Sequence, residues 1–132
     1  MIERVNPPEL GEPRGFSNAV VGTGTVVFLA GQTALNREGV IVGETVVEQF
    51  EKALSNLLAS LAAAGGTPAD LASLTVYIVD MDDYKANGRE IGRVWKRLMG
   101  TDYPAMAGIG VSRLWDVEAL VEVQGMAVLP SA

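Results

Sequence analysis

The stretch ETVVEQFEKALSNLLASLAAAGGTPADLASLTVYIV, residues 44–79, sets a long helix and a strand side by side and decides the fold class. Between Glu44 and Ala64, Val46, Val47, Phe50, Leu54, Leu57, Leu58 and Leu61 recur at helical intervals and form one apolar stripe. Glu44, Glu48, Glu51, Lys52 and Asn56 fall largely elsewhere. Gly65-Gly66 supplies the C-terminal stop. Thr67-Pro68-Ala69-Asp70 has the form of a capping box with proline at the first helical position, which predicts a short helical turn. Leu74-Thr75-Val76-Tyr77-Ile78-Val79 is then a β-branched run, read as a central strand.

Upstream, Val20-Val21 and Val26-Val27-Phe28-Leu29 are two β-rich runs separated by Gly22-Thr23-Gly24, which predicts a hairpin. A phosphate-binding loop would open a helix after those glycines, whereas here more strand follows. Residues 1–15, with Pro7, Pro8 and Pro13, read as an extended lead-in with room for a short edge strand. Thr33 to Val40 reads as strand or loop around a turn at Asn36-Arg37-Glu38-Gly39. Downstream, Tyr84, Ile91, Val94, Trp95 and Leu98 mark a second helix from about Asp82 to Leu98, with Asp82 or Asp83 as its N-cap. Its basic residues gather toward the C-terminal end, where the helix dipole favours them. Met106–Ser112 and Leu120–Leu129 complete the strands. The order β-β-α-β-α-β-β predicts one α+β domain over residues 1–132, with two helices on one face of a four- to six-stranded mixed sheet. Pattern alone leaves the strand order open.

Composition narrows the chemistry. The 132 residues suit a single domain, and 48% of them are hydrophobic, with a mean hydropathy of +0.24. Ten basic against 16 acidic residues give a net charge of −6 and a pI near 4.5, without the basic stripe that phosphate neutralisation needs. No nucleic-acid or membrane partner is expected. Histidine and cysteine are both absent, which removes disulfides, thiolate nucleophiles, histidine triads and the usual zinc sites. Acid–base work therefore falls to carboxylates, Tyr, Lys, Arg, the backbone or bound water. Asp80, Asp82, Asp83, Asp102 and Asp116 lack the spacing of a calcium loop and read as caps and turns. Neither a metal nor a cofactor is expected. The N-terminus, Met1 to Pro8, has no basic segment followed by an apolar one, so no signal peptide is expected and the cytoplasm is the default location.

The last strand carries the most chemical information. Val121, Val123 and Ala127 alternate with Glu122, Gln124 and Met126, so one face is apolar and the other bears a carboxylate and an amide. That second face is either a solvated sheet surface or the lining of a cleft or subunit interface. Ala107, Gly108 and Gly110 leave little bulk in the preceding strand, as close approach of a ligand or a backbone requires. Phe16 and Tyr103 are candidate aromatic walls.

Gly31-Gln32, Gln49-Phe50 on the Leu57-rich helix, Thr75-Val76-Tyr77 with Asp80, Asn87, Tyr103-Pro104-Ala105, Ser112-Arg113-Leu114 and Val121-Glu122-Val123 follow one another along the chain. Their order and spacing, from about Phe16 to Val128, resemble the Rid (YjgF-like) family; the ordered set is specific where no single motif is. The resemblance implies a chorismate-mutase-like fold and a homotrimer whose sheets form a central barrel, with small-molecule clefts between subunits. The family's best-known activity is hydrolysis of reactive enamines and imines to ammonia and a 2-keto acid.

Carried over by position, Glu122 matches a glutamate that orients the attacking water, as general base. Gly31 offers a backbone group, Asn87 a polar cleft position, and Ala107 and Gly108 the cleft floor. Gln124 replaces a second acidic residue, and Phe16 stands where many members have tyrosine. The family arginine that grips a substrate carboxylate through a bidentate fork follows the Pro-Ala pair. That position is Met106 here, and a thioether supplies neither charge nor donor. Arg113 belongs to a separate Arg-Leu pair, and Arg14, close to Phe16 in sequence, is the candidate anion contact. The expected function is an enamine or imine hydrolase that is not the usual 2-imino acid deaminase. The alternative is a non-catalytic trimer binding a ligand or partner in the same clefts. An endoribonuclease or translation inhibitor is disfavoured by the acidic balance.

Overall fold

In the computed structural model, which describes residues 2–131, the helix α1 spans Val46–Ala63. Thr45 and Glu48 form a reciprocal capping box at its start, and the box holds the Glu48 carboxyl below its ordinary pKa, chiefly through the Thr45 backbone N–H. Phe50, Leu54, Leu57 and Leu61 are fully buried, each worth about 2 kcal/mol of apolar transfer. The Pro68–Asp70 turn with its capping box follows, as the sequence predicts. It delivers the chain into strand β4, Leu71–Ile78.

The N-terminal half departs from expectation. Strand β1, Ile2–Val5, occupies part of the lead-in and pairs antiparallel with β2, Ala19–Gly22. Met1 lies outside the described residues. Strand β3, Thr25–Gln32, does not pair with β2, so Gly22-Thr23-Gly24 is a corner between two sheets and not a hairpin turn. The reason lies far away in sequence: β3 runs antiparallel along β6, Val121–Leu129. At the end of that ladder Gly24, at φ 141°, sits so close to the Leu129 carbonyl that a Cβ would overlap it. Residues 33–40 form a loop closed by a Leu35–Ile41 bridge, with Asn36 Oδ1 accepting from the Val40 N–H at 2.9 Å.

The expected second helix is two helices, α2 over Met81–Ala86 and α3 over Gly88–Met99. Asn87 interrupts them at φ −101°, ψ 17°, where its Nδ2 donates to the Asp83 carbonyl at 2.8 Å. The N-cap is Asp80, whose side chain accepts from the Asp83 N–H, in place of Asp82 or Asp83. Strand β5, Ala105–Gly110, pairs parallel with β4. The main sheet is therefore mixed, in the order β3-β6-β4-β5. The core lies between one face of this sheet and the helices, in an α+β arrangement. Among the described residues, no helix is long and apolar enough to cross a membrane.

Gln49 joins the two layers. It is buried, its Nε2 donates to the Gly43 and Glu118 carbonyls at 3.1 Å, and its Oε1 accepts from the Leu120 N–H at 2.8 Å. The amide thus fixes the entry of β6 and with it the register of Glu122.

Candidate functional site

Alternation along β6 sends Val121, Val123 and Ala127 into the core and Glu122, Gln124 and Met126 to the opposite, open face. Across the β4–β6 ladder, Tyr77 stands opposite Glu122 and Thr75 opposite Gln124. The Tyr77 hydroxyl donates to Gln124 Oε1 at 3.2 Å. On the other side the β3–β6 register shifts between Leu29 and Gln32, placing Gly31 against Glu122. A Cβ on Gly31 would overlap Glu122 Oε2, so the missing side chain is what seats the carboxylate there. Ala107, opposite Thr75, continues this face onto β5. A shallow hollow of about 230 Å3 lies nearby between Phe28, Ser73, Thr75, Gln124 and Met126.

The remaining predicted site residues gather on the helix side. Met106 lies opposite Leu74 and Gly108 opposite Val76, both core residues of β4. Met106 lines a cavity of about 190 Å3 together with Phe50, Tyr84, Trp95 and Tyr103. Tyr103 stacks on Trp95 at 5.8 Å between ring centroids, and Phe50 meets Tyr84 edge-on at 6.2 Å. Gly15, Gly88 and Gly92 complete the wall, and a Cβ at any of them would meet no atom within 4 Å. Phe16 and Asn87 flank it as the chain neighbours of Gly15 and Gly88. Arg14 is exposed and makes no hydrogen bond or ion pair among the described residues. Arg113 donates to the Leu114 and Trp115 carbonyls of its own loop.

One chain thus divides the candidate residues into two sets. Glu122, Gln124, Gly31 and Ala107 belong to the open face, and Met106, Tyr103 and Gly108 to the helix side, with Phe16 and Asn87 beside them. The sheet stands between Glu122 and Met106, so a single subunit does not close one cleft around both.

Sequence reasoning missed two contributors to the helix-side set. Arg4, in the lead-in, donates through Nε to the Tyr103 carbonyl at 3.2 Å, and Ser17 Oγ donates to the same oxygen at 2.6 Å. These bonds position the Tyr103 ring against Trp95. Tyr84, Gly88 and Gly92 recur every fourth residue across the helix break, and that spacing was the readable signal for a gap in the helix surface. Burial pushes the Tyr84 hydroxyl up to about 12.

Similarity to known proteins places this geometry. The family model described as endoribonuclease L-PSP matches residues 9–129. A RutC family protein of Pyrococcus horikoshii is 31% identical over 117 residues, covering 88% of this chain and 89% of the relative. A 2-iminobutanoate/2-iminopropanoate deaminase of Dermatophagoides farinae is 26% identical over 126 residues, 95% of this chain and 94% of the relative. The crystal structure of a Rid family protein of unknown function from Yersinia pestis superimposes with a TM-score of 0.88. Its sequence is 34% identical, and the match covers 97% of this chain and 98% of that one. The chain belongs to the Rid (YjgF-like, endoribonuclease L-PSP) family and has its chorismate-mutase-like fold.

Proposed function

We propose that this protein is a cytoplasmic deaminase-type hydrolase, acting on an enamine, imine or related small metabolite in clefts between the subunits of a homotrimer. The observation that carries the reading is the Glu122 carboxylate, seated over Gly31 on a sheet face that the helices leave open. There Glu122 accepts a proton from water as the oxygen attacks the C=N carbon. The resulting carbinolamine collapses to a carbonyl compound and releases ammonia, with the proton returned to nitrogen. A deaminase among the relatives supports this reaction class.

Assembly is argued from the apolar side chains of the same face. Phe28 is 79% exposed, and Met126 and Ile109 are also open to water, which an isolated chain rarely tolerates together. A second and third copy covering them would bring the Met106 side of one sheet to the Glu122 side of the next, uniting the two sets of residues. Gly31, Asn87, Ala107, Gly108, Phe16, Tyr103 and Gln124 then contribute to the walls and floor of that cleft. RNA has no part in this reading, given the net charge of −6.

Met106 in place of a cation removes the usual grip on a carboxylate, so the substrate differs from a 2-imino acid. The same substitution favours a second reading, in which the trimer binds a ligand or partner without turnover. Ammonia release from a panel of imines generated in situ separates the two. In the first reading Glu122→Gln lowers kcat/KM by about 10²–10⁴-fold while ligand binding persists. No turnover of any imine by wild type would favour the second.

A further inference from the structure

We infer that Tyr77 and Gln124 act as one hydrogen-bonded unit that positions the attacking water against Glu122, with Tyr77 as a positioning residue. This role rests on the hydrolase reading above and adds two side chains that direct its water.

The residues concerned form one row of the open face. Gly31 on β3, Glu122 on β6, Tyr77 on β4 and Ile109 on β5 stand side by side across the sheet. Gly31 has no side chain and that of Ile109 has no polar atom, so Glu122 and Tyr77 are the polar pair of the row. The Glu122 carboxylate is half-buried and makes no hydrogen bond or ion pair among the described residues. Directly opposed side chains start about 5 Å apart at Cβ, which puts the tyrosine beside the carboxylate. Tyr77 reaches from β4 over β6, where its hydroxyl donates to Gln124 Oε1 at 3.2 Å, one same-face step beyond Glu122. Such a step is about 7 Å, and two hydrogen bonds through one water span about 5.5 Å. The spacing therefore admits a single water between the tyrosine oxygen and the carboxylate.

The bond to Gln124 decides how the hydroxyl works. A phenol has one hydrogen to give and lone pairs to receive, and an ionised carboxylate only receives. With its hydrogen committed to Gln124, Tyr77 Oη turns lone pairs alone toward the site. A water held between these two acceptors spends both hydrogens on them and keeps a lone pair for the C=N carbon. As the C–O bond forms, the π pair moves to nitrogen and one hydrogen passes to Glu122. The other stays on oxygen, donated to Tyr77, until the carbinolamine is complete. Without Gln124 the Tyr77 hydrogen would turn to the water or the carboxylate and occupy the electron pairs that the attack needs.

The test reads structure and kinetics on the assembled protein. High-resolution crystal structures of wild type and Tyr77→Phe are compared at this row. Wild type is expected to hold an ordered water within about 3.2 Å of both Tyr77 Oη and a Glu122 oxygen. Tyr77→Phe should lose that water with Glu122 still over Gly31. In imine hydrolysis Tyr77→Phe should lower kcat about fivefold and leave KM within about twofold, as loss of one neutral hydrogen bond made in the transition state requires. Gln124→Leu should do the same. The double variant should also fall about fivefold and not about 25-fold, because the two side chains act as a unit.

Absence of that water from wild type, or its persistence in Tyr77→Phe, would overturn the inference. So would a change in KM in place of kcat, or single effects that multiply in the double variant. The hydrolase reading fails differently. A wild type that hydrolyses no imine, yet loses the water in Tyr77→Phe, keeps the water site and loses the hydrolase. A wild type that releases ammonia at a rate blind to Tyr77→Phe keeps the hydrolase and loses the role of Tyr77.

Discussion

On the helix side of the main sheet, Val121, Val123 and Ala127 are sealed beneath α1, and Gln49 ties that helix to the start of β6 through three hydrogen bonds. On the other side of the same strand, Glu122 sits against Gly31 and Gln124 accepts from the Tyr77 hydroxyl, and Phe28 and Met126 stand open beside them. One strand thus serves two purposes. Val121, Val123 and Ala127 hold the fold together, and Glu122, Gln124 and Met126 face the open side. A gap on the sealed side is the cavity at Met106, walled by Phe50, Tyr84, Trp95 and Tyr103. Both departures from tight packing coincide with the residues singled out for function.

The open face carries the largest expected effect. If copies of the chain cover it, Phe28→Asp should abolish assembly, because a carboxylate would be buried at the centre of an apolar contact. Light scattering should then show wild type near 42 kDa, three chains of 13.9 kDa, and the variant near 14 kDa with its far-UV spectrum unchanged. A wild type already at 14 kDa would remove the subunit cleft from the account. On the sealed face, Gln49→Leu leaves the Leu120 N–H and two carbonyls without their partner, at a cost of about 3 kcal/mol in denaturant unfolding. A loss under about 1 kcal/mol would mean that water replaces the amide.

A smaller effect sharpens the view of the cavity. Tyr84 has its pKa raised by burial to about 12, against 10 in the unfolded chain. Between these values the unfolded state releases the proton while the folded state keeps it, so stability falls as pH rises from 10 toward 12 and is unaffected below 10. The loss should reach about 2 kcal/mol. Tyr84→Phe should lack this decline, which urea titrations at pH 9, 10.5 and 11.5 would reveal. Parallel curves for both proteins would mean that the hydroxyl is hydrated.

Much of this was legible in the sequence where the signal is local. The stripe from Val46 to Leu61 and the two-residue alternation from Val121 to Ala127 reach the structure as read, because burial of one face imposes its period directly. What failed was non-local. The pairing of β3 with β6 joins residues about 100 apart in sequence, and nothing near Gly22-Thr23-Gly24 distinguishes a sheet-to-sheet corner from a hairpin. The break at Asn87 depends on one side chain bonding back to Asp83, which apolar periodicity does not register. Arg4 reaches Tyr103 across 99 positions. For the site, residue types at Glu122 and Met106 were readable, but their placement on opposite faces required the β5 register and hence the strand order.

In the proposed reaction Glu122 supplies the water chemistry while Met106 sets a preference for uncharged substrates. Its most direct test is kcat/KM for two matched imines generated in situ, one bearing a carboxylate and the other its amide, with wild type and Met106→Arg side by side. Wild type should prefer the amide and Met106→Arg should invert the preference, each by about tenfold or more. A wild type that prefers the carboxylate, or a pair of proteins that turn over neither imine, would contradict it.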